Sequence, residues 1–260
     1  MDDSRDLIQK ISSLSVRMGS VAVWWLGQAG YSFKMGQTTI YLDLYLSNIV
    51  GDIEGLNRLV PPPTLPWRID NANLVLATHD HLDHTDCGTI PFLALKNRDA
   101  VFIGPPSAIK KMVEWGVPEK HCSTIKAKQR LEIQGVELEA VPALHTEDSI
   151  GYIIRGNEVT IYHSGDTLFF SDLAELGTVG IDLAFIPING KGGNMGIPET
   201  VETVKLLRPK VAIPMHYGMF AESTADPSEF EKAVQKELPG QTVKLLSLGQ
   251  LYLYEREGRS

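Results

Sequence analysis

The run Thr78-His79-Asp80-His81-Leu82-Asp83-His84 closes the apolar stretch LVLAT (74–78). It constrains this chain more than any other feature. Within it, five ionisable side chains occupy six consecutive positions, 79–84. Buried without partners, such groups repel one another and lose their hydration; the plain alternative is a solvated loop. Imidazole suits zinc, iron and manganese, and carboxylate tolerates the same ions. His79 and His81 are two apart, so an extended strand end points both the same way. Asp83 and His84 then turn back towards a neighbouring position. Two cations a few ångströms apart, as in dinuclear hydrolytic sites, fit this pattern.

Three further candidates follow apolar strands. His145 lies in VPALHTED, Asp166 in IYHSGDT and His216 in VAIPMHYG. Each sits at the C-terminal end of a strand, the usual edge for catalytic groups in α/β architectures. Any one of them alone reads as structural. Together with the cluster they read as one metal centre, which uses five of the seven histidines.

The remaining sequence bounds the fold and the partners. The 260 residues allow one domain or two. No linker or repeat divides them, so a single domain over 1–260 is expected. Helical spacing of Leu7, Ile8, Ile11 and Leu14 predicts a helix over 5–16. Strands are expected at 21–27, 31–36, 38–44, 74–78, 100–104, within 122–142, and at 150–154, 158–163, 182–188, 211–215 and 250–255. Helices are expected at 87–96, 106–115, 169–176, 198–207 and 227–237. The series implies two sheets with helices outside. Residues 45–70 read as a long irregular lid anchored by Leu56, Leu59, Leu65 and Trp67. A hydrophobic content of 43% excludes a disordered chain, and the net charge of −8 argues against a nucleic-acid polymer as partner. Two cysteines make no disulfide framework. A polar start and the lack of any long apolar run suggest a cytoplasmic protein with no membrane partner.

The motif His79-x-His81-x-Asp83-His84, followed by His145, Asp166 and His216, resembles the metallo-β-lactamase superfamily over essentially the whole chain. The resemblance implies an α/β fold, a four-layer αβ/βα sandwich with metals at one sheet edge. It implies that His79, His81 and His145 hold one ion, that Asp83, His84 and His216 hold a second, and that Asp166 bridges them. Two divalent cations are therefore expected, Zn²⁺ with Mn²⁺ as the alternative. WWLGQAG (24–30), LATHDHLDH (76–84), FIGPP (102–106), WGVPEKHC (115–122) and IYHSGDT (161–167) are similar to the L-ascorbate-6-phosphate lactonase group. NMGIPETVETVKLLRPKVAIPMHYG (194–218) is similar to the generic metal-dependent hydrolases.

The function this implies is hydrolysis by a metal-bridging hydroxide of a small anionic metabolite, a lactone or sugar-phosphate lactone. A phosphodiesterase, or a non-catalytic metal-binding relative, is the alternative. Asp83 is expected to orient the hydroxide as well as to ligate. His163 is expected to donate a proton or touch substrate, if its strand reaches the site. Asp43 and Thr78 are candidates to fix imidazole tautomers. The glycine-rich stretch 189–196 could approach an anion, with Lys191, Asn194 and Tyr217 as substrate contacts. Trp24, Trp25 and Trp67 read as core or lid packing, and an exposed apolar lid would favour a homo-oligomer.

Overall fold

The structure, a computed structural model, describes residues 4–256. Met1–Asp3, part of the polar start, and 257–260 lie outside the described residues. The chain opens with α1 (Ser4–Ser13) and a meander of β1 (Ser20–Gly27), β2 (Gly30–Met35) and β3 (Thr38–Leu42). A short α2 (Ile49–Glu54) precedes β4 (Leu74–Leu76), α3 (Ile90–Lys96), β5 (Val101–Gly104), α4 (Pro106–Glu114) and β6 (Cys122–Thr124). The second half runs through β7 (Arg130–Ile133), β8 (Val136–Pro142), β9 (Ile150–Gly156), β10 (Val159–His163) and β11 (Leu183–Pro187). It continues with α5 (Ile197–Leu207), β12 (Val211–Met215), α6 (Pro227–Glu237), β13 (Thr242–Val243) and β14 (Leu251–Glu255).

These strands form two seven-stranded sheets, in the orders β14-β1-β2-β3-β4-β5-β6 and β13-β12-β11-β10-β9-β8-β7. Each sheet is half antiparallel and half parallel. The switch to parallel pairing falls at β3/β4 in the first sheet and at β10/β11 in the second. Parallel strands need helical crossovers, which cover the outer faces. Side chains alternate across each strand. Val21, Val23 and Trp25 of β1 therefore enter the core between the sheets, while Ala22, Trp24 and Leu26 pack under α1, α3 and α4. On the far side, Val201, Val204, Phe230 and Val234 of α5 and α6 join the second sheet. This is the four-layer αβ/βα sandwich expected above. Burial on both faces explains why the strands read as continuous apolar runs rather than as alternating patterns.

Three local readings change. The helix expected at 169–176 is a 3₁₀ run, Ser171–Thr178. Gly177 there is pressed so closely on α5 that a Cβ would lie 2.5 Å from the Leu206 carbonyl oxygen, and glycine disfavours an α-helix. The 45–70 connection holds α2 and a 3₁₀ turn, Pro66–Arg68. Of its four apolar anchors, Leu59 and Trp67 are exposed, Trp67 lying edge-on to Phe92 at 5.6 Å. The two residues of β13 carry no legible pattern.

The sheets meet at the C-terminal ends of their parallel strands. Ile150 N donates to the Thr78 carbonyl at 3.0 Å, and the Tyr152 hydroxyl donates to the Ala77 carbonyl at 3.0 Å. Gly165 has φ +59, and a Cβ on it would sit 2.8 Å from Thr78 Cβ. Only glycine permits that approach, so the turn carrying Asp166 closes directly on the end of β4.

Candidate metal centre

The turn after β4 is fixed from within. Thr85 Oγ1 donates to the His79 carbonyl at 2.6 Å, and the amides of His84 and Thr85 donate to the His81 carbonyl. Asp80 faces outward, paired with Lys111 Nζ at 2.7 Å. The other four polar side chains turn to the seam between the sheets. His145 after β8, Asp166 after β10 and His216 after β12 meet them from the second sheet.

Two trios of ligand atoms with no member in common result, and His79, His84 and Asp166 form a third group across them. In one, His81 Nδ1 lies 3.1 Å from His79 Nε2 and 3.0 Å from His145 Nε2. A tetrahedral ion with metal–nitrogen bonds of about 2.0–2.1 Å sets its ligand nitrogens about 3.3 Å apart, close to these separations. In the other, the ligand atoms of Asp83, His84 and His216 lie within 4.8 Å of one another. Asp166 stands between the two. Its Oδ1 is 3.1 Å from His84 Nε2 and 2.6 Å from His216 Nε2, and its Oδ2 is 3.7 Å from His145 Nε2. Close as they are, His84 Nε2, His216 Nε2 and Asp166 Oδ1 are buried and none is aligned in a hydrogen bond. Buried polar atoms are almost always satisfied, so these three fit a cation.

Neighbouring groups set the tautomers. His84 Nδ1–H donates to Asp43 Oδ2 at 2.8 Å. Thr78 Oγ1 donates to the same oxygen and accepts from His79 Nδ1–H at 3.0 Å. His145 Nδ1–H donates to the Gly193 carbonyl at 3.3 Å. Each bond holds Nδ1 as the donor and turns Nε2 inward, the arrangement a ligand needs. Burial and the neighbouring His84 hold the His79 pKa well below the usual imidazole range, so its ring is neutral. Burial likewise lowers His145. Burial would lower His84 too, but Asp166, Asp83 and Asp43 around it outweigh burial and raise it. Burial alone would raise the Asp166 carboxyl; His216 and His84 overcome it and hold the group well below the carboxylate range.

Four expected contacts lie elsewhere or do other work. His163 is fully buried; its Nε2–H donates to the Ala29 carbonyl at 3.0 Å and its Nδ1 accepts from Gly165 N at 3.2 Å. Both of its ring nitrogens are engaged by backbone rather than by the ligand atoms of the centre. The Tyr217 hydroxyl donates to the Leu246 carbonyl, and its ring lies 4.7 Å from that of Trp25. Lys191 Nζ donates to the Glu222 carbonyl. Asn194 Nδ2 donates to Asp166 Oδ2 at 2.8 Å, so it orients that carboxylate. The glycine-rich loop thus offers the centre a carbonyl and an amide side chain.

Three residues escaped the sequence reading. Asp86 accepts from the amides of Leu46, Ser47 and Gly88 and from the hydroxyls of Ser47 and Thr89. Arg58 donates to the carbonyls of Tyr45, Ser47 and Val60. Between them they fix residues 45–60 as an ordered wall, where Tyr45 and Val50 pack with Leu82, Met219 and Phe220. Gln28 is the third, and it touches the second trio directly. Its signal was a lone amide inside the apolar stretch WWLGQAG.

Burial lowers the His163 pKa to about 4, from an ordinary value of about 6.5. Below pH 6.5 the unfolded chain takes up this proton and the folded one does not, so stability falls as pH drops towards 4. At about 1.36 kcal/mol per unit, this shift removes about 3 kcal/mol across that window. Urea unfolding of the wild type should therefore steepen with acid more than that of His163→Gln. Parallel curves would show that burial of this ring carries no such linkage.

Residues 38–217 match the family model described as "Beta-lactamase superfamily domain", a span that holds His79, His81, Asp83, His84, His145, Asp166 and His216 but not Gln28. A UPF0173 metal-dependent hydrolase of Staphylothermus marinus is 35% identical over 202 residues, covering 76% of this chain and 85% of that protein. One from Pyrobaculum arsenaticum is 31% identical over 218 residues, covering 81% of this chain and 90% of that protein. Among solved structures, the metallo hydrolase Igni18 of Ignicoccus hospitalis shares the fold at a TM-score of 0.75 and 22% identity, over 92% of this chain and all of that one.

Proposed function

The chain belongs to the metallo-β-lactamase superfamily and is a metal-dependent hydrolase, and on that premise we propose that it binds two divalent cations and opens an ester-type bond, a lactone foremost, in a small molecule. The observation that carries this reading is the Asp166 carboxylate set between two trios of ligand atoms, where His84 Nε2, His216 Nε2 and Asp166 Oδ1 lie buried and close together without an aligned hydrogen bond. His79, His81 and His145 would hold one cation, Asp83, His84 and His216 the other, and Asp166 would face both. The histidine-rich donor set favours Zn²⁺, with Mn²⁺ as the alternative. Two such cations supply an activated water near neutral pH and polarise the bond to be cleaved.

The chain's own residues do the rest. Asp43, Thr78 and Gly193 hold three imidazoles with Nε2 turned inward. Asn194 sets the plane of Asp166. Asp83 has the most exposed side chain among the carboxylates at the centre, which leaves it placed to take a proton as the bond opens. The wall built on Tyr45, Val50 and Phe220 keeps water from one flank.

Zn²⁺- or Mn²⁺-loaded protein is expected to turn over members of a lactone panel, and a chelator should remove that activity. Faster cleavage of bis-p-nitrophenyl phosphate would move the reading to a phosphodiesterase. Stoichiometric metal with turnover of neither would make the chain a non-catalytic metal-binding relative.

A further inference from the structure

Gln28 is 1% exposed and sits in the β1–β2 turn at φ +53, a conformation few non-glycine residues adopt. Its amide nitrogen reaches two members of the second trio at once, at 2.9 Å from Asp83 Oδ2 and 3.1 Å from His216 Nδ1. Its amide oxygen is buried with no hydrogen-bond partner. A primary amide has two hydrogens, enough to serve both neighbours. In this orientation His216 Nδ1 accepts, so the neutral ring carries its proton on Nε2. That nitrogen is the one facing Asp166, 2.6 Å from Oδ1. While it holds a proton it has no lone pair for a cation.

To ligate through Nε2, His216 must carry its proton on Nδ1, and that N–H then needs an acceptor. Gln28 Oε1 becomes the acceptor when the amide turns over, because the two ends of an amide have nearly the same shape. The same rotation takes the donor away from Asp83 Oδ2 and leaves Gln28 Oε1 facing it, a pair of acceptors that a cation on Asp83 would offset. We propose that Gln28 is a positioning residue for the second cation, an amide rotor whose one rotation sets the His216 tautomer and releases Asp83 together. The inference rests on the two-cation reading above. It predicts selectivity, because the side-chain hydrogen bonds of Gln28 go to the second trio and not to His79, His81 or His145.

Calorimetric titration with Zn²⁺ tests it. Wild-type protein should bind two equivalents. Gln28→Leu should weaken one of them by about 10–100-fold, the usual effect of losing a group that orients a ligand, and leave the other unchanged. Two unchanged affinities, or two weakened alike, would overturn the inference while leaving the two-cation reading intact. Fewer than two equivalents on the wild type would overturn that reading and the inference with it. Should Gln28→Leu fail to fold, imidazole ¹⁵N spectra of the wild type decide the matter. The His216 proton should sit on Nδ1 with Zn²⁺ bound and on Nε2 after chelation; one tautomer throughout would overturn the proposal.

Discussion

Asp166→Ala is expected to abolish metal-dependent turnover while leaving the protein folded. Its carboxylate stands 2.6 Å from His216 Nε2 and 3.1 Å from His84 Nε2 through one oxygen, and 3.7 Å from His145 Nε2 through the other. Among the described residues, no other carboxylate lies within ion-pair distance of members of both trios. Loss of a group that merely orients a ligand costs about 10–100-fold, so loss of the shared one should exceed 10²-fold in kcat/KM. Folding should survive, because the side-chain hydrogen bond this carboxylate makes is to Asn194 Nδ2 in a loop. His81→Ala, at the exposed corner of the first trio, should behave alike. Kinetics, bound-metal analysis and circular dichroism check both. Wild-type turnover in either folded variant would sink the assignment of the centre.

Asp43→Ala should damage fold and centre together. Asp43 is fully buried at φ +49 and accepts from Thr78 N at 2.8 Å, Thr78 Oγ1 at 2.7 Å and His84 Nδ1 at 2.8 Å. Removing one partner of a buried polar pair leaves the other uncompensated, at a cost of about 3–5 kcal/mol. The unfolding free energy measured in urea should fall by that much, and Zn²⁺ affinity should drop by about 10–100-fold as His84 and His79 lose their held tautomers. Asp43→Asn keeps the shape and one acceptor, so it should recover part of the stability. Equal stability in wild type and Asp43→Ala would show that this buried carboxylate does not anchor the seam.

Much of this was legible because local sequence carried it. The turn 79–84 sits on one strand end, where spacing alone orients His79 and His81. Asp43 and Thr78 were readable because each ends a strand beside that turn. The apolar runs also announced strands buried on both faces. What failed depended on contacts across the fold. His163 ends β10 as expected, but the ring meets the Ala29 carbonyl of the other sheet, which nothing near residue 163 encodes. Tyr217 sits beside a candidate ligand in sequence, yet its hydroxyl reaches Leu246. Gln28 was hidden for the same reason: its partners Asp83 and His216 lie far along the chain and meet it only once both sheets are closed.

The return of β14 to the first sheet has a consequence in time rather than in space. The chain lays down β1 to β6, leaves to build the entire second sheet, and only then comes back to pair residues 251–255 with β1. While the chain is being made, β1 therefore keeps one edge open, with the apolar row Val21, Val23 and Trp25 beside unpaired backbone groups. Such an edge recruits strands from other chains, and pairings this distant in sequence form slowly. That edge stays open until Leu251 arrives, and the pairing of 251–255 with β1 is what closes it.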